Sequence, residues 1–327
     1  MIQRHPTYWF EDGDTILHHK MLINDDHESE TLYRIHFSKL TSAGSPEFFK
    51  SSSQHVTNLS DDVLKVEFSK PMVVDTLDED IVNDLNGCNY VVLDRKNAID
   101  IQDLAHLLDH VYGERPPLFL RLRRKLNAKP ELPRIISLVH ITSPDQLNMP
   151  ALHEEAKMHF VDSLPGNSQE LACFQCECAE RAMALAIRYD ISQARKSLLY
   201  YLATQTHQEL DVSIPSHIHN TISNLSHSVS SNLISFFTPL LFTPPPTSHM
   251  ECTDALAEHW MPLVISPAID DSAMGKPLQT FEKMKNVNWT KYGICEDCVE
   301  DKKKEWSEEQ DKVWELMDGW ISDSAME

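Results

Sequence analysis

The chain has 327 residues, enough for two domains, and 41% of them are hydrophobic, a share typical of a folded globular protein. Its formal net charge of −21 argues against nucleic-acid binding, because contact with phosphates requires a basic surface. The first residues, MIQRHPTYWFEDGD, lack the apolar segment of a signal peptide, and no apolar run is long enough to span a bilayer. With seven cysteines, an odd number, these features predict reduced thiols, a cytoplasmic or nuclear location and no membrane association.

Residues 31–49, TLYRIHFSKLTSAGSPEFF, combine two periodicities. Up to His36, successive residues alternate in the way typical of a half-buried strand. Beyond it, apolar residues at three-residue steps predict a short helix that ends at Gly44; they are Phe37, Leu40 and Ala43. A second short helix is predicted next, because Ser45 suits the N-cap and Pro46 the first helical position. Its apolar face is supplied by Phe48 and Phe49.

Segments on either side of this stretch extend the pattern. Residues 10–14, FEDGD, are followed by the strand-like segment TILH, and residues 90–93, YVVL, predict a further strand. After the polar joint at Ile99 and Asp100, apolar spacing predicts a helix that carries Leu104, Leu107, Leu108, Val111 and Tyr112.

This order of motifs resembles the core of a BTB/POZ domain, in which a strand ending in histidine leads into a helix and then into a Ser-Pro-x-Phe helix. The family also has an Asp-rich first segment, similar to residues 10–14, and a closing helix with the pattern Leu-x-x-Leu-Leu-x-x-x-Tyr, similar to residues 104–112. The chain is most similar to fungal-type BTB proteins, which carry a helical extension and a C-terminal Gly-x-Cys-x-x-Cys segment. The resemblance implies an α+β fold: a BTB/POZ core, with a small mixed sheet flanked by helices, followed by an all-α extension.

The resemblance also implies a function. BTB/POZ domains are protein–protein interaction modules that self-associate as homo- or hetero-oligomers and act as scaffolds or adaptors, in some cases for a cullin-type ubiquitin ligase. Protein partners are therefore expected, and enzymatic activity is not. The residues expected to pack the module are His36, Leu40, Ser45, Pro46, Phe48, Leu107, Leu108 and Tyr112. A transcription-associated regulator with the same core is an alternative, although the chain has no zinc-finger array to read DNA.

Composition divides the chain into five predicted parts. They are a BTB/POZ-like domain at 1–112, a basic linker or insertion at 113–131, a helical extension at 132–207, a Ser/His/Pro-rich connector at 208–248 and a C-terminal helical region at 249–327. Two stretches lie outside the BTB pattern: an insertion at 51–87 with an acidic tract, and a concentration of positive charge at 115–129. Both suit a solvated surface, and docking of a partner is the alternative for each.

From residue 132 onward the apolar spacing predicts helices. One apolar stripe repeats at four-residue steps through Leu152, Ala156, Phe160 and Leu164. Residues 218–236 have helical spacing despite many residues of low helix propensity. Three more helices are predicted at 252–264, 276–285 and 302–321, and the buried stripe of the last comprises Trp306, Val313, Trp314, Met317, Trp320 and Ile321.

Cys295 and Cys298, preceded by Gly293, form a Cys-x-x-Cys pair with metal-ligand spacing. Two thiolates at this spacing can hold one edge of a zinc tetrahedron, and two more ligands are then required. Cys252 together with His249 or His259 can supply them after folding. Zinc is the one cofactor that the pattern suggests, and unpaired thiols are the alternative. A zinc-stabilised or redox-active protein is thus a further alternative function, although the pair lacks the strand-to-helix setting of thioredoxin-like sites.

A second cysteine cluster has the form Cys173-x-x-Cys176-x-Cys178. If this segment is helical, Cys173 and Cys176 share a face, which suits metal binding and plain packing equally. The seventeen histidines are scattered without an H-E-x-x-H motif, and the sequence contains no G-x-S-x-G elbow, P-loop or Rossmann glycine pattern. No catalytic residue is therefore predicted.

Overall fold

The computed structural model describes residues 2–24, 27–43, 54–55, 88–93, 99–113, 132–205, 214–271 and 273–324. The chain divides into two compact units, Met1–Phe160 and Val161–Glu327. The first contains a sheet with helices and the second is helical in its described residues, so the fold is α+β in class. Several predicted features lie outside the described residues: the basic stretch 115–129, the insertion 51–87 apart from two residues, and Ser45, Pro46 and Phe48.

The described residues of the first unit form a five-stranded sheet in the order β1-β3-β2-β5-β4. Its strands are β1 (Ile2–Trp9), β2 (Thr15–Asn24), β3 (His27–Ile35), β4 (Gln54–His55) and β5 (Asn89–Leu93). Strands β2 and β3 are an antiparallel pair, while β1 runs parallel to β3 and β5 parallel to β2. The sheet is therefore mixed, with a hairpin at its centre.

The prediction that residues 31–35 form a half-buried strand is wrong in one respect. Neighbouring residues Leu32 and Tyr33 are both buried, and so are Ile16 and Leu17 on the paired strand. Because successive side chains of a strand point to opposite faces, both faces of this hairpin are covered. Its two strands occupy interior positions of the sheet, and burial on both faces replaces the alternation of apolar and polar residues with consecutive apolar ones.

In the described residues up to Asp162 there are four helices: α1 (Phe37–Ala43), α2 (Ile101–Tyr112), α3 (Leu132–Ile141) and α4 (Pro150–Asp162). Helix α2 begins where the Asp100 carboxylate accepts a hydrogen bond from the Gln102 N–H at 2.7 Å, and it ends at Gly113, whose φ of 66° suits glycine. The His140 ring on α3 lies 2.7 Å from the Asp103 carboxylate of α2. All four residues of the predicted apolar stripe are buried: Leu152, Ala156 and Phe160 lie in α4, and Leu164 follows its end.

The loop after β3 contacts the end of α2. The backbone N–H of His36 donates to the Tyr112 hydroxyl at 2.7 Å, and the Nδ1 atom of His36 lies 3.1 Å from the same oxygen. The ring of Tyr112 stacks on Phe10 with centroids 4.6 Å apart, and Asp12 lies 3.2 Å from the His36 Nε2 atom. The hydrogen bond between the Asp12 carboxylate and the His36 ring lowers the pKa of the exposed Asp12 carboxyl. Residues 76 positions apart are thus joined at one junction.

Replacing Tyr112 with phenylalanine is expected to lower the free energy of unfolding by about 1–2 kcal/mol, because the His36 N–H loses its acceptor in a partly buried setting. Denaturant-induced unfolding measures the effect. The matched control is Tyr201→Phe, whose ring packs edge-on against Phe174. Equal stability of the Tyr112→Phe variant and the unsubstituted protein would show that the hydroxyl contributes nothing.

The described residues of the second unit form short and long helices. They are α5 (Ser168–Ala172), α6 (Ala179–Arg188), α7 (Ser192–Thr204), α8 (Ser216–Phe242), α9 (Met250–Trp260), a π-helical turn (Met261–Ile265), α10 (Ser266–Asp270), a 3-10 turn (Ala273–Gly275), α11 (Pro277–Asn286), a second 3-10 turn (Trp289–Tyr292) and α12 (Glu296–Ser324). None of the described helices is both long enough and apolar enough to cross a membrane.

Helix α8 includes residues 218–236, the segment with many residues of low helix propensity. It extends over 27 residues and occupies most of the predicted connector at 208–248. Serine, histidine and asparagine lower intrinsic helix propensity, so tertiary packing has to supply the stability. Four of its apolar residues are buried at helical spacing: Val229, Leu233, Phe237 and Leu241.

Two apolar clusters lie in the described interior of the second unit. The tryptophan cluster comprises Phe237, Leu241, Cys252, Leu256, Trp260, Val264, Ile265, Ala268, Ala273, Phe281, Met284, Trp289, Ile294, Cys298, Val299 and Trp306. The tyrosine cluster comprises Leu171, Tyr200, Val229, Leu233, Leu278, Val313 and Met317. In the latter, the buried Tyr200 hydroxyl accepts from the Leu278 N–H at 3.1 Å and donates to the Gln279 side chain at 2.7 Å. Of the six residues predicted as the buried stripe of the last helix, three are buried in these clusters and three are partly buried and pack against the tyrosine cluster. The buried ones are Trp306, Val313 and Met317, and the partly buried ones are Trp314, Trp320 and Ile321.

Candidate metal centre

Two helix N-termini meet at one point of the second unit. His249 is the N-cap residue of α9, and Cys252 lies in the first turn of that helix. Cys295 immediately precedes α12, and Cys298 lies in the first turn of that helix. Each helix thus contributes two side chains at a spacing of three residues, and that spacing places them on one face of a helical turn.

The turn before α12 depends on a glycine. Gly293 ends the 3-10 turn Trp289–Tyr292 with a φ of 89°, in the left-handed region that favours glycine. The buried Ile294 follows it, and Cys295 then precedes the helix. This reversal brings the Cys-x-x-Cys pair back toward the start of α9.

The four side chains form a compact donor set. Their ligand atoms, the ring nitrogen of His249 and the sulfurs of Cys252, Cys295 and Cys298, all lie within 4.8 Å of one another. The His249 Nδ1 atom is 3.3 Å from the Cys295 sulfur and 3.5 Å from the Cys298 sulfur. The sulfurs of Cys252 and Cys295 are 3.6 Å apart. In the described part of the chain, this is the group that could hold a metal ion.

These distances match a tetrahedral site. With Zn–S bonds of about 2.3 Å, two sulfurs on one zinc ion are separated by about 3.8 Å, and a sulfur and a nitrogen by slightly less. The sulfurs of Cys252 and Cys295 therefore lie close to the required separation. A metal of this size can be accommodated with small side-chain movements.

Neighbouring polar groups support negative charge on the sulfurs. The Ser248 Oγ atom lies 3.3 Å from the Cys298 sulfur, and the backbone N–H of Cys295 donates to the Cys252 sulfur at 3.4 Å. The hydrogen bond from the Ser248 hydroxyl lowers the pKa of Cys298 to about 6. The N-termini of two helices add a favourable potential for thiolates.

Cys295 behaves differently from Cys298. The backbone N–H of Cys298 by itself lowers the pKa of Cys295, but hydrogen bonding with the Cys298 thiol, desolvation and the neighbouring Cys252 together raise it. Of two adjacent thiols, one is therefore readily ionised while the other keeps its proton. A divalent cation removes this competition, because its charge stabilises both thiolates at once.

The centre has a buried side and an exposed side. Cys252 and Cys298 are buried at the margin of the tryptophan cluster, Cys295 is half-buried, and His249 is exposed. All four positions of a tetrahedral ion would be filled by protein side chains. Such a closed set is typical of structural sites, whereas catalytic sites keep a position open for water or substrate.

Local spacing identified Cys295 and Cys298, and Cys252 together with His249 or His259 was named as the set that could complete the site after folding. The structure brings His249 to the centre, while the ring of His259 packs against Tyr292 with centroids 4.8 Å apart. The contribution of Ser248 was not predicted, because a serine adjacent to an exposed loop histidine has no distinctive local pattern.

The second cysteine cluster is not arranged as one helical face. Helix α5 ends at Ala172 and α6 begins at Ala179, so Cys173, Cys176 and Cys178 lie in the connection between them. The sulfurs of Cys176 and Cys178 are 3.8 Å apart, and Cys173 is exposed. Their mutual hydrogen bond raises the pKa of Cys176 and lowers that of Cys178.

The residues predicted to pack the first unit are placed as follows. Leu40 is buried in α1, and Leu107 and Leu108 are buried in α2. His36 and Tyr112 form the junction described above.

Comparison with protein-family models, with curated proteins and with solved structures gave no match. The function is therefore inferred from the chain's own residues and contacts.

Proposed function

We propose that the chain is a protein–protein interaction module of the BTB/POZ type, an adaptor or scaffold that self-associates and recruits protein partners. The observation that carries the proposal is the contact between His36 and Tyr112, the histidine and the tyrosine of the two resembling motifs. The arrangement around them supports it as well: an antiparallel strand pair, a short helix after His36, a strand parallel to β2, and then α2.

Strand β1 is the surface proposed for self-association. In the described residues it pairs with β3 on one side and lies at the end of the strand order. The outer edge of such a strand presents backbone N–H and C=O groups that can pair with a strand of another chain. A symmetric pair of edges would bury these groups in both protomers.

Light scattering of the full-length protein over a range of concentrations tests self-association, and a dimer is expected. The double variant Gln3→Lys with Thr7→Lys adds two charges at exposed positions of β1 and is expected to weaken the dimer, because lysine on an edge opposes strand pairing. The matched control, Gln102→Lys with Ala151→Lys, adds the same charge at exposed positions of α2 and α4. A strict monomer that also captures no partner in a pull-down would refute the proposal.

The second candidate function is zinc binding by His249, Cys252, Cys295 and Cys298. The supporting observation is the convergence of the four donor atoms within 4.8 Å. Thiolate and imidazole ligands suit zinc, whereas magnesium and calcium require oxygen ligands. When bound, zinc would supply a cross-link between α9 and α12 rather than a reactive centre.

Metal analysis of the full-length protein, purified under reducing conditions without chelator, tests this function. About one zinc ion per chain is expected for a single four-ligand site. Replacement by cobalt is expected to give the visible absorption of a tetrahedral cobalt–thiolate complex. Protein that contains no zinc and binds none on addition would exclude the centre.

A further inference from the structure

We infer that the metal centre determines whether the tryptophan cluster folds: residues 249–306 would hold their native packing only when the four ligands share an ion, while the tyrosine cluster persists without it. This inference rests on the zinc binding proposed above and assigns that site its role.

The metal centre shares residues with the tryptophan cluster. Cys252 and Cys298 belong to the cluster, and Cys295 packs against it. The rings of Trp260 and Trp289 have centroids 6.3 Å apart, and those of Trp289 and Trp306 are 5.9 Å apart. Each tryptophan comes from a separate element, namely α9, the second 3-10 turn and α12. Movement of the helix N-termini would therefore disturb the contacts among the rings.

Local structure around the tryptophan cluster is weak. Between α9 and α11 the chain forms the π-helical turn Met261–Ile265, the five-residue helix Ser266–Asp270 and the 3-10 turn Ala273–Gly275. Such short elements have little stability of their own, because each helix must first form an unfavourable nucleus. Helix α9 also begins at His249 without a side-chain cap. These elements depend on contacts made elsewhere.

The centre joins residues that are distant in the sequence. Cys252 and Cys295 are 43 positions apart, and the intervening chain contains the irregular turns. Holding the two ends together costs conformational entropy of the loop between them. A shared metal ion would offset this entropy cost, because it cross-links the two ends. Without an ion, the direct contacts among the four donor groups are weak hydrogen bonds of sulfur.

The tyrosine cluster provides an internal comparison. Apart from Leu171 in the five-residue helix α5, it is formed by longer, regular elements, among them α7, α8 and the second half of α12. The buried Tyr200 hydroxyl both accepts and donates a hydrogen bond, and both partners belong to α11. None of the metal ligands belongs to this cluster. Its packing has no direct dependence on the centre.

Hydrogen–deuterium exchange of the full-length protein, followed by mass spectrometry, tests the inference without a substitution. The protein is compared as purified, after zinc removal by a chelator with a thiol reductant, and after return of zinc or of magnesium. Amides of Met250–Trp260 and of the first turns of α12 are expected to exchange about 100-fold faster without zinc, the factor conferred by a ligand at about 100 times its dissociation constant. Zinc should restore protection and magnesium should not, while exchange in Ser192–Thr204 stays unchanged.

The possible outcomes of this experiment distinguish the folding role of the metal ion from zinc binding itself. If the protein contains zinc but its removal leaves exchange in Met250–Trp260 unchanged, the folding role is refuted and zinc binding stands. If removal accelerates exchange equally in Ser192–Thr204, the confinement of the effect to the tryptophan cluster is refuted. If the protein neither contains zinc nor binds it, the proposed binding and this inference fail together.

Discussion

Replacement of Cys298 by serine is expected to weaken metal binding by more than about 100-fold, because loss of a direct ligand exceeds the 10–100-fold cost of losing an outer-shell partner. Cys298 is fully buried. Its sulfur lies close to two other ligands and within hydrogen-bonding distance of the Ser248 hydroxyl. A serine hydroxyl is a far poorer zinc ligand than a thiolate at neutral pH. Metal content after dialysis against a buffer without zinc measures the change, and thermal unfolding reports its effect on stability.

The matched control is Cys176→Ser, which changes a buried thiol of the same unit outside the centre. This variant is expected to keep its metal, so any loss of stability that it shows reflects the buried hydroxyl and its altered contact with Cys178 rather than loss of an ion. If Cys298→Ser retains as much metal as Cys176→Ser, Cys298 is not a ligand.

Replacement of Trp260 by alanine is expected to lower the free energy of unfolding by about 3–5 kcal/mol, the usual cost of truncating a buried tryptophan. The indole of Trp260 is 2% exposed, and its Nε1–H donates to the Leu241 carbonyl at 2.7 Å. The substitution removes the ring contacts with Trp289 and Trp306 and leaves that carbonyl without its donor. Denaturant-induced unfolding in the presence of zinc measures the loss.

Met261→Ala is the control for this measurement, because Met261 follows Trp260 directly but is 58% exposed. A change within about 0.5 kcal/mol is expected for this exposed side chain. Comparable losses in the two variants would mean that the backbone of the π-helical turn, rather than the buried ring, accounts for the effect.

The two predictions probe different contributions to the same region. The proposed metal centre would act through a cross-link between helix N-termini, and Trp260 acts through apolar burial and one hydrogen bond. Because Cys298 and Trp260 belong to one cluster, the effects of changing both are expected to be non-additive.

Elements with a strong local pattern were predicted from the sequence. The short helix after His36, the helix that ends at Tyr112 and the long last helix all have apolar residues at helical spacing, and the structure contains each of them. Helical periodicity is a property of neighbouring residues, so it is visible without knowledge of the rest of the fold. The Cys-x-x-Cys pair was predicted for the same reason.

Elements that depend on distant contacts were predicted less well. The length of α8 exceeds the segment with recognisable spacing, because packing of Phe237 and Leu241 in the tryptophan cluster extends it. The connection that carries Cys173, Cys176 and Cys178 was considered as a helix, yet α5 ends before it. Short segments follow tertiary contacts more than their own propensity.

The sequence by itself determined most of the helices and one half of the candidate metal centre, since these follow from residues within a few positions of one another, whereas the α+β class was expected from the resemblance to BTB/POZ domains. Tertiary structure alone decided that His249, rather than His259, joins Cys252, Cys295 and Cys298, and that His36 meets Tyr112. The physical reason is that ligand geometry and cluster packing depend on where separate helices end in space, and a one-dimensional pattern does not contain that distance.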